Sequence, residues 1–129
     1  METGIRGSSE IVVTREMLAS TLGSGGVDVF ATPCMIANME HTCILSVQDV
    51  VGEGNTTVGT LLNVSHTAAT PLGMKVRFES ELIEIDRRRL VFSVKAYDEV
   101  EKIGEGTHER FIVNEEKFLG KVRAKFSDQ

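Results

Sequence analysis

The chain has 129 residues, 41% of them hydrophobic and 26% charged, with a formal net charge of −5. That is one domain's worth of sequence with enough apolar material for a core, and its scattered Lys and Arg lack the dense basic footprint that nucleic-acid binders set against phosphates. No apolar run approaches the ~18 residues of a membrane span and no signal-peptide core opens the chain, so neither nucleic acid nor membrane is an expected partner and the cytosol is the expected compartment.

The whole of 1–129 reads as a single domain, with residues 1–10 (METGIRGSSE) polar and expected to be poorly ordered. Thr14 to Leu22 suits a short helix capped by Thr14, ended by the flexible run Gly23-Ser24-Gly25-Gly26. No Lys-Ser/Thr follows these glycines, so they are not a phosphate-cradling loop. Thr32-Pro33 then reads as an N-cap followed by Pro at the first helical position. Met35, Ile36, Met39, Cys43, Ile44 and Val47 keep the helical period to about Gln48. With both cysteines on this helix, Cys34 and Cys43 stand about 13 Å apart along its axis. A disulfide needs Cα atoms about 4.4–6.8 Å apart, so they stay unpaired, as suits a reducing compartment.

The remainder reads as strands. Thr57 to His66 places Val58, Leu62 and Val64 on one side, with Thr60 between and His66 last. Met74 to Leu82 alternates apolar with charged residues, and Ile83 and Ile85 reverse the phase, which predicts a bulge or strong twist near Leu82. Arg87-Arg88-Arg89 is expected to be a solvated turn. Leu90 to Tyr97 sets Leu90, Phe92, Val94 and Ala96 on one face; after a Gly104-Glu105-Gly106 turn, Thr107 to Asn114 forms another strand, and 115–126 a strand or short helix. One long helix and several antiparallel strands define an α+β domain in which a curved sheet wraps the helix. The open sheet edge makes a dimer plausible.

Three side chains are candidates for chemistry beyond packing, and each also has a structural reading: a paired carboxylate at the edge of a stripe, a strand-end histidine, a helix cap. Glu40 falls inside the apolar stripe of the helix, where a carboxylate must find a partner or change its protonation. His66 ends its strand on the apolar side, before Thr67-Ala68-Ala69-Thr70-Pro71, and can act as a general base or as a donor to developing charge. Thr32 is accounted for as an N-cap worth about 1 kcal/mol, and it also sets a hydroxyl at the positive end of the helix dipole. His41, His66 and His108 lack the spacing of zinc ligands, so no metal is expected.

Phe30-Ala31-Thr32, Met39-Glu40, Val58-Gly59-Thr60, His66-Thr67-Ala68-Ala69-Thr70-Pro71 and Gly106-Thr107-His108-Glu109-Arg110 together resemble the fluoroacetyl-CoA thioesterase family, a branch of the hotdog-fold acyl-CoA thioesterases. The resemblance covers roughly 28–125 and rests most on the HTAATP and GTHER strings. It implies a hotdog fold paired as a homodimer with sites at the interface. It also implies catalytic roles for Thr32, Glu40 and His66 and substrate contacts from Gly59, His66 and Arg110, with no cofactor beyond the CoA of the substrate. Two departures stand out: the Gly23–Asp28 stretch carries no aromatic where the family's namesake has lid aromatics, and His41 replaces the aromatic after Glu40. The expected activity is therefore hydrolysis of a short- or medium-chain acyl-CoA. A non-catalytic acyl-CoA-binding or sensing module is the alternative, and a hotdog dehydratase a third reading.

Overall fold

The computed structural model describes residues 1–127. In chain order it contains β1 (Arg6–Val12), a 3-10 turn (Arg15–Met17), α1 (Ala19–Leu22), α2 (Thr32–Val47), β2 (Asn55–His66), β3 (Lys75–Asp86), β4 (Arg89–Asp98), β5 (Lys102–Asn114), α3 (Glu115–Arg123) and a second 3-10 turn (Ala124–Phe126). The strands form one antiparallel sheet in the order β1-β3-β4-β5-β2. Helix α2 lies in the curve of this sheet, chiefly over β3 and β1 and only lightly against β2. Among the described residues no helix is long and apolar enough to cross a membrane.

The core is built where the alternation was sharpest. Val76, Phe78 and Leu82 of β3 and Leu90, Phe92, Val94 and Ala96 of β4 are buried against Met35, Met39, Cys43 and Val47 of α2. Phe30 and Phe78 pack with ring centroids 6.4 Å apart. Each fully buried side chain of this size stabilises the fold by about 1.5–3 kcal/mol relative to exposure. The phase reversal after Leu82 is a register shift between Leu82 and Glu84, as predicted.

Several elements depart from expectation. Residues 1–10 are not loose throughout: from Arg6 they belong to β1, whose inward positions Gly7 and Ser9 are small and lie against α2, Ser9 Oγ being 2.7 Å from Thr42 Oγ1. Small polar residues hid an alternation that larger apolar ones would have displayed. Thr14 makes no side-chain cap, and the expected Thr14–Leu22 helix breaks at extended Leu18 into a 3-10 turn and α1. Ala31, not Thr32, occupies the N-cap of α2, so Thr32 is the first helical residue and Pro33 the second. Gly104-Glu105-Gly106 is not a turn; it runs inside β5. The turn falls earlier, where Asp98 Oδ1 accepts the N–H groups of Val100 and Glu101 at 2.8 and 2.9 Å, a side-chain mimic of a backbone turn. Of the arginine triplet, Arg87 and Arg88 turn the chain, whereas Arg89 starts β4 and bonds Glu84 and Glu109, each at 2.7 Å. Residues 115–123 are helical, with Asn114 capping through Lys117 N–H at 3.0 Å.

In β2 the expected grouping of Val58 with Leu62 fails. The register against β5 shifts between Gly59 and Leu61, so one residue is bulged. Strand partners share a face, which places Thr57 and Gly59 inside before the bulge and Leu62, Val64 and His66 inside after it. Val58 pairs with the half-exposed Phe111 on the outer face. Helix α2 touches β2 at only a few points, and between them the inner face of β2 forms a groove.

Candidate active site

Two clusters of functional side chains stand on this groove. The first forms at the start of α2, where Thr32 Oγ1 lies 2.7 Å from His66 Nδ1. The hydroxyl that was expected to cap the helix is thus turned to the histidine. Pro33 brings no N–H, and the Cys34 and Met35 N–H groups both bond the Ala31 carbonyl at 3.1 Å. What this helix end offers a ligand is therefore the hydroxyl and backbone N–H of Thr32, with the positive end of the dipole behind them.

His66 is fixed from behind. It pairs with Gly104 of β5, and the next residue, Thr67, donates its N–H to Ile103 O at 2.8 Å. A Cβ at Gly104 would lie 2.6 Å from Met35 Sδ and 2.7 Å from Ser65 O, so only glycine lets α2 and β2 close this tightly. Burial lowers the His66 pKa from the ordinary histidine value, opposed by an interaction with the Ala68 backbone. The imidazole is accordingly neutral near pH 7 and its Nδ1 can accept the Thr32 proton. Its Nε2 is buried without a hydrogen-bond partner among the described residues.

A cavity of about 320 Å³ opens beside this pair, walled by Ser24, Gly25, Val27, Thr32, His66 and Ala68 among others. The 23–28 loop thus forms one wall of the cavity. Backbone bonds from Ala19 N to Val29 O (2.8 Å) and from Phe30 N to Thr70 O (2.9 Å) hold its end, and Ser20 donates to Asp28.

The second cluster lies eight residues along α2, about 12 Å by helical rise. Glu40, with 38% of its side chain exposed, sits at the edge of the apolar stripe and points at β2 and β5. Its Oε2 is 3.6 Å from Arg110 Nη1 and 4.0 Å from His108 Nε2. Gly59 stands between them: a Cβ there would meet Glu40 Oε2 at 3.0 Å and Arg110 Nη1 and His108 Cε1 at 3.2 Å each. Ile36, Glu40, Gly59, Leu62 and His108 line a cavity of about 270 Å³. Arg110 is only 4% exposed and stands behind this wall, its Nε donating to Thr57 Oγ1 at 2.8 Å and its Nη2 to Thr57 O at 2.9 Å.

The fold therefore joins Thr32 to His66, and Glu40 to Gly59 and Arg110, but does not unite the two groups within one chain. His108, which the sequence presents only as a rejected zinc ligand and as part of the GTHER string, and Thr57 also belong to the second group. The available signal was spacing: His108 and Arg110 lie in phase with Ile112, on the inward face of β5. Among the described residues no group of three or more His, Cys, Asp or Glu side chains is placed to hold a metal. Cys43 is buried and its thiol pKa is raised by burial to about 12, so it is no nucleophile.

A curated fluoroacetyl-CoA thioesterase from Streptantibioticus cattleyicolor is 44% identical over 98 residues, 76% of this chain and 70% of that protein. A solved structure of the fluoroacetyl-CoA thioesterase FlK superposes with a TM-score of 0.91 at 37% identity, over 97% of each chain. A hot-dog-like protein from Thermanaerovibrio acidaminovorans, 20% identical over 98% of this chain and 93% of its own, shares the fold with a TM-score of 0.89. The fluoroacetyl-CoA-specific thioesterase profile matches residues 13–116. With a hotdog fold and most of its length matched, the chain belongs to the fluoroacetyl-CoA-specific thioesterase family.

Proposed function

We propose that the chain is an acyl-CoA thioesterase that hydrolyses short- or medium-chain acyl-CoA to the free acid and CoA, working as a homodimer whose sites each draw on both copies. The observation that carries the reading is the 2.7 Å contact between Thr32 Oγ1 and a His66 held neutral by burial, at the mouth of a cavity. A neutral imidazole takes a proton from the hydroxyl or from water held beside it. The helix dipole at Thr32 favours the negative charge that develops on the thioester oxygen. Glu40 supplies the carboxylate, as base or nucleophile, while Gly59 bounds the acyl group and the buried charge of Arg110 acts on the substrate from behind the wall that Glu40 and Gly59 form.

A carbonyl carbon and the atom attacking it must come within about 3–3.5 Å, and about 12 Å of helix separates Thr32 from Glu40. A second copy closes that gap. Strand β2 is a sheet edge with an unpaired ladder, and such edges invite another strand. If β2 pairs with its own copy antiparallel about Asn63, Val64 opposes Leu62 and, across the bulge, His66 opposes Gly59. Each Thr32–His66 pair then faces the Glu40 of the other copy, and all the residues so matched lie on the inner face.

The test is release of free thiol from a panel of acyl-CoAs, acetyl to octanoyl. Steady turnover supports hydrolysis, saturable binding without thiol release favours a sensing module, and reaction of a 3-hydroxyacyl thioester without thiol release favours a dehydratase.

A further inference from the structure

Behind Glu40, β5 presents a histidine that the catalytic reading does not use. His108 is only 1% exposed and makes contacts at both ring nitrogens. Nδ1 lies 2.8 Å from the carbonyl oxygen of Leu61, next to the β2 bulge, and Nε2 lies 3.0 Å from Arg110 Nη1. Arginine only donates, so the second contact requires a lone pair on Nε2. The ring proton must then reside on Nδ1, where the Leu61 carbonyl accepts it. A doubly protonated ring would press N–H against N–H beside a guanidinium.

We propose that His108 is a positioning residue: as a neutral imidazole protonated on Nδ1, it holds the Arg110 guanidinium in place and so fixes the direction of the Glu40 carboxylate.

The guanidinium is gripped on three sides, by Thr57 Oγ1, Thr57 O and His108 Nε2, and its remaining Nη1 edge faces Glu40 Oε2 at 3.6 Å. Without the His108 acceptor the planar group hangs on Thr57 alone and can tilt about that edge, which moves Nη1 and with it the counter-charge that Glu40 faces. The charged groups around His108 are Glu40 from α2 and Arg110 and Glu109 from β5. Burial, followed by the Leu61 bond acting in the opposite sense, dominates its protonation, and the net direction is toward the neutral form. Gly59 completes the device, because any side chain there would wedge between Glu40, Arg110 and His108.

The inference rests on Glu40 serving thioester hydrolysis, and its test separates the two. In His108→Gln the amide oxygen reaches the Nε2 position and still accepts from Arg110; in His108→Asn the amide nitrogen takes the Nδ1 position and only the Leu61 bond survives. We expect kcat to fall about 30-fold in His108→Asn with KM within about threefold, and to recover to within about fivefold of wild type in His108→Gln, on the scale that small misplacements of a reacting group cost. Equal kcat in both variants, whether at the wild-type level or lowered together, overturns the proposal. In parallel, ring nitrogen chemical shifts of the wild-type protein should show His108 as the Nδ1–H tautomer near pH 7; an Nε2–H tautomer or an imidazolium overturns it without reference to turnover. A wild-type protein that releases no thiol from any acyl-CoA defeats the thioesterase reading, while the nitrogen shifts still decide the state of His108.

Discussion

Thr32 Oγ1 and His66 Nδ1 are 2.7 Å apart although 34 positions separate them in the chain. The contact needs an unprotonated Nδ1 if Thr32 is to pass on its proton. Because burial lowers the His66 pKa, the acid limb of kcat/KM should fall below the ordinary histidine value of about 6.5. Activity should be full above that limb and lost as the pH drops through it, since protonation removes the base. Thr32→Val should lower kcat by about a hundredfold or more at every pH, within the usual range for acid–base partners, and should lower the melting temperature only slightly, because Thr32 caps nothing and the one side-chain bond it loses, to His66, is exposed. An acid limb at or above the ordinary value would show that another group governs the rate.

Subunit mixing examines the shared site. Inactive Thr32→Val and Glu40→Gln chains, mixed and allowed to exchange, should regain partial activity, because each heterodimer holds one intact site and one doubly altered site. Heterodimers that demonstrably form yet stay inactive would mean that the two groups act within one chain.

The pairing register makes a separate prediction. Asn63 faces outward on β2, and pairing about this residue brings its two copies side by side. A short bis-maleimide should link Asn63→Cys chains into dimers, and should link Val100→Cys chains, altered in the distant β4–β5 turn, far less. Wild type serves as the control for the half-buried Cys34. Equal linking of both variants would refute this register.

Selectivity follows from the cavity wall. Ser24, Gly25 and Val27 stand where the 23–28 loop borders the Thr32–His66 cavity, and none is aromatic. We expect fluoroacetyl-CoA and acetyl-CoA to differ little in kcat/KM. A preference above about a hundredfold, about 2.7 kcal/mol of differential transition-state binding, would place the discrimination in some other element.

The parts of this fold that could be read from residues alone were those where one face is large and apolar. Leu90, Phe92, Val94 and Ala96 announce β4, the reversal after Leu82 announces its bulge, and Met35, Met39, Cys43 and Val47 announce α2. Strand β1 escaped because two of its three inward residues, Gly7 and Ser9, are small, and the β2 bulge because Gly59 and Thr60 give no hydrophobic phase to interrupt. Glu40 was visible as a carboxylate in an apolar stripe. Its partners were not, since His108 and Arg110 reach it only through the antiparallel register of β5 with β2. The Thr32 hydroxyl was assigned to the helix end because local capping rules cannot see a histidine on a distant strand.

The bulge in β2 also bears on how the gene can change. With one unpaired residue between Gly59 and Leu61, Gly59 and His66 share a face despite their odd spacing. Losing the Thr60 codon would straighten the strand and, with β5 still in register on one side of the gap, shift the other side by one residue. Outward neighbours would then take the inward places beside Arg110 or Gly104. Single-codon deletions should thus be tolerated at the Val100 turn and eliminated at Thr60, so lineages that keep the activity should preserve the length of this strand more strictly than the identity of its exposed residues.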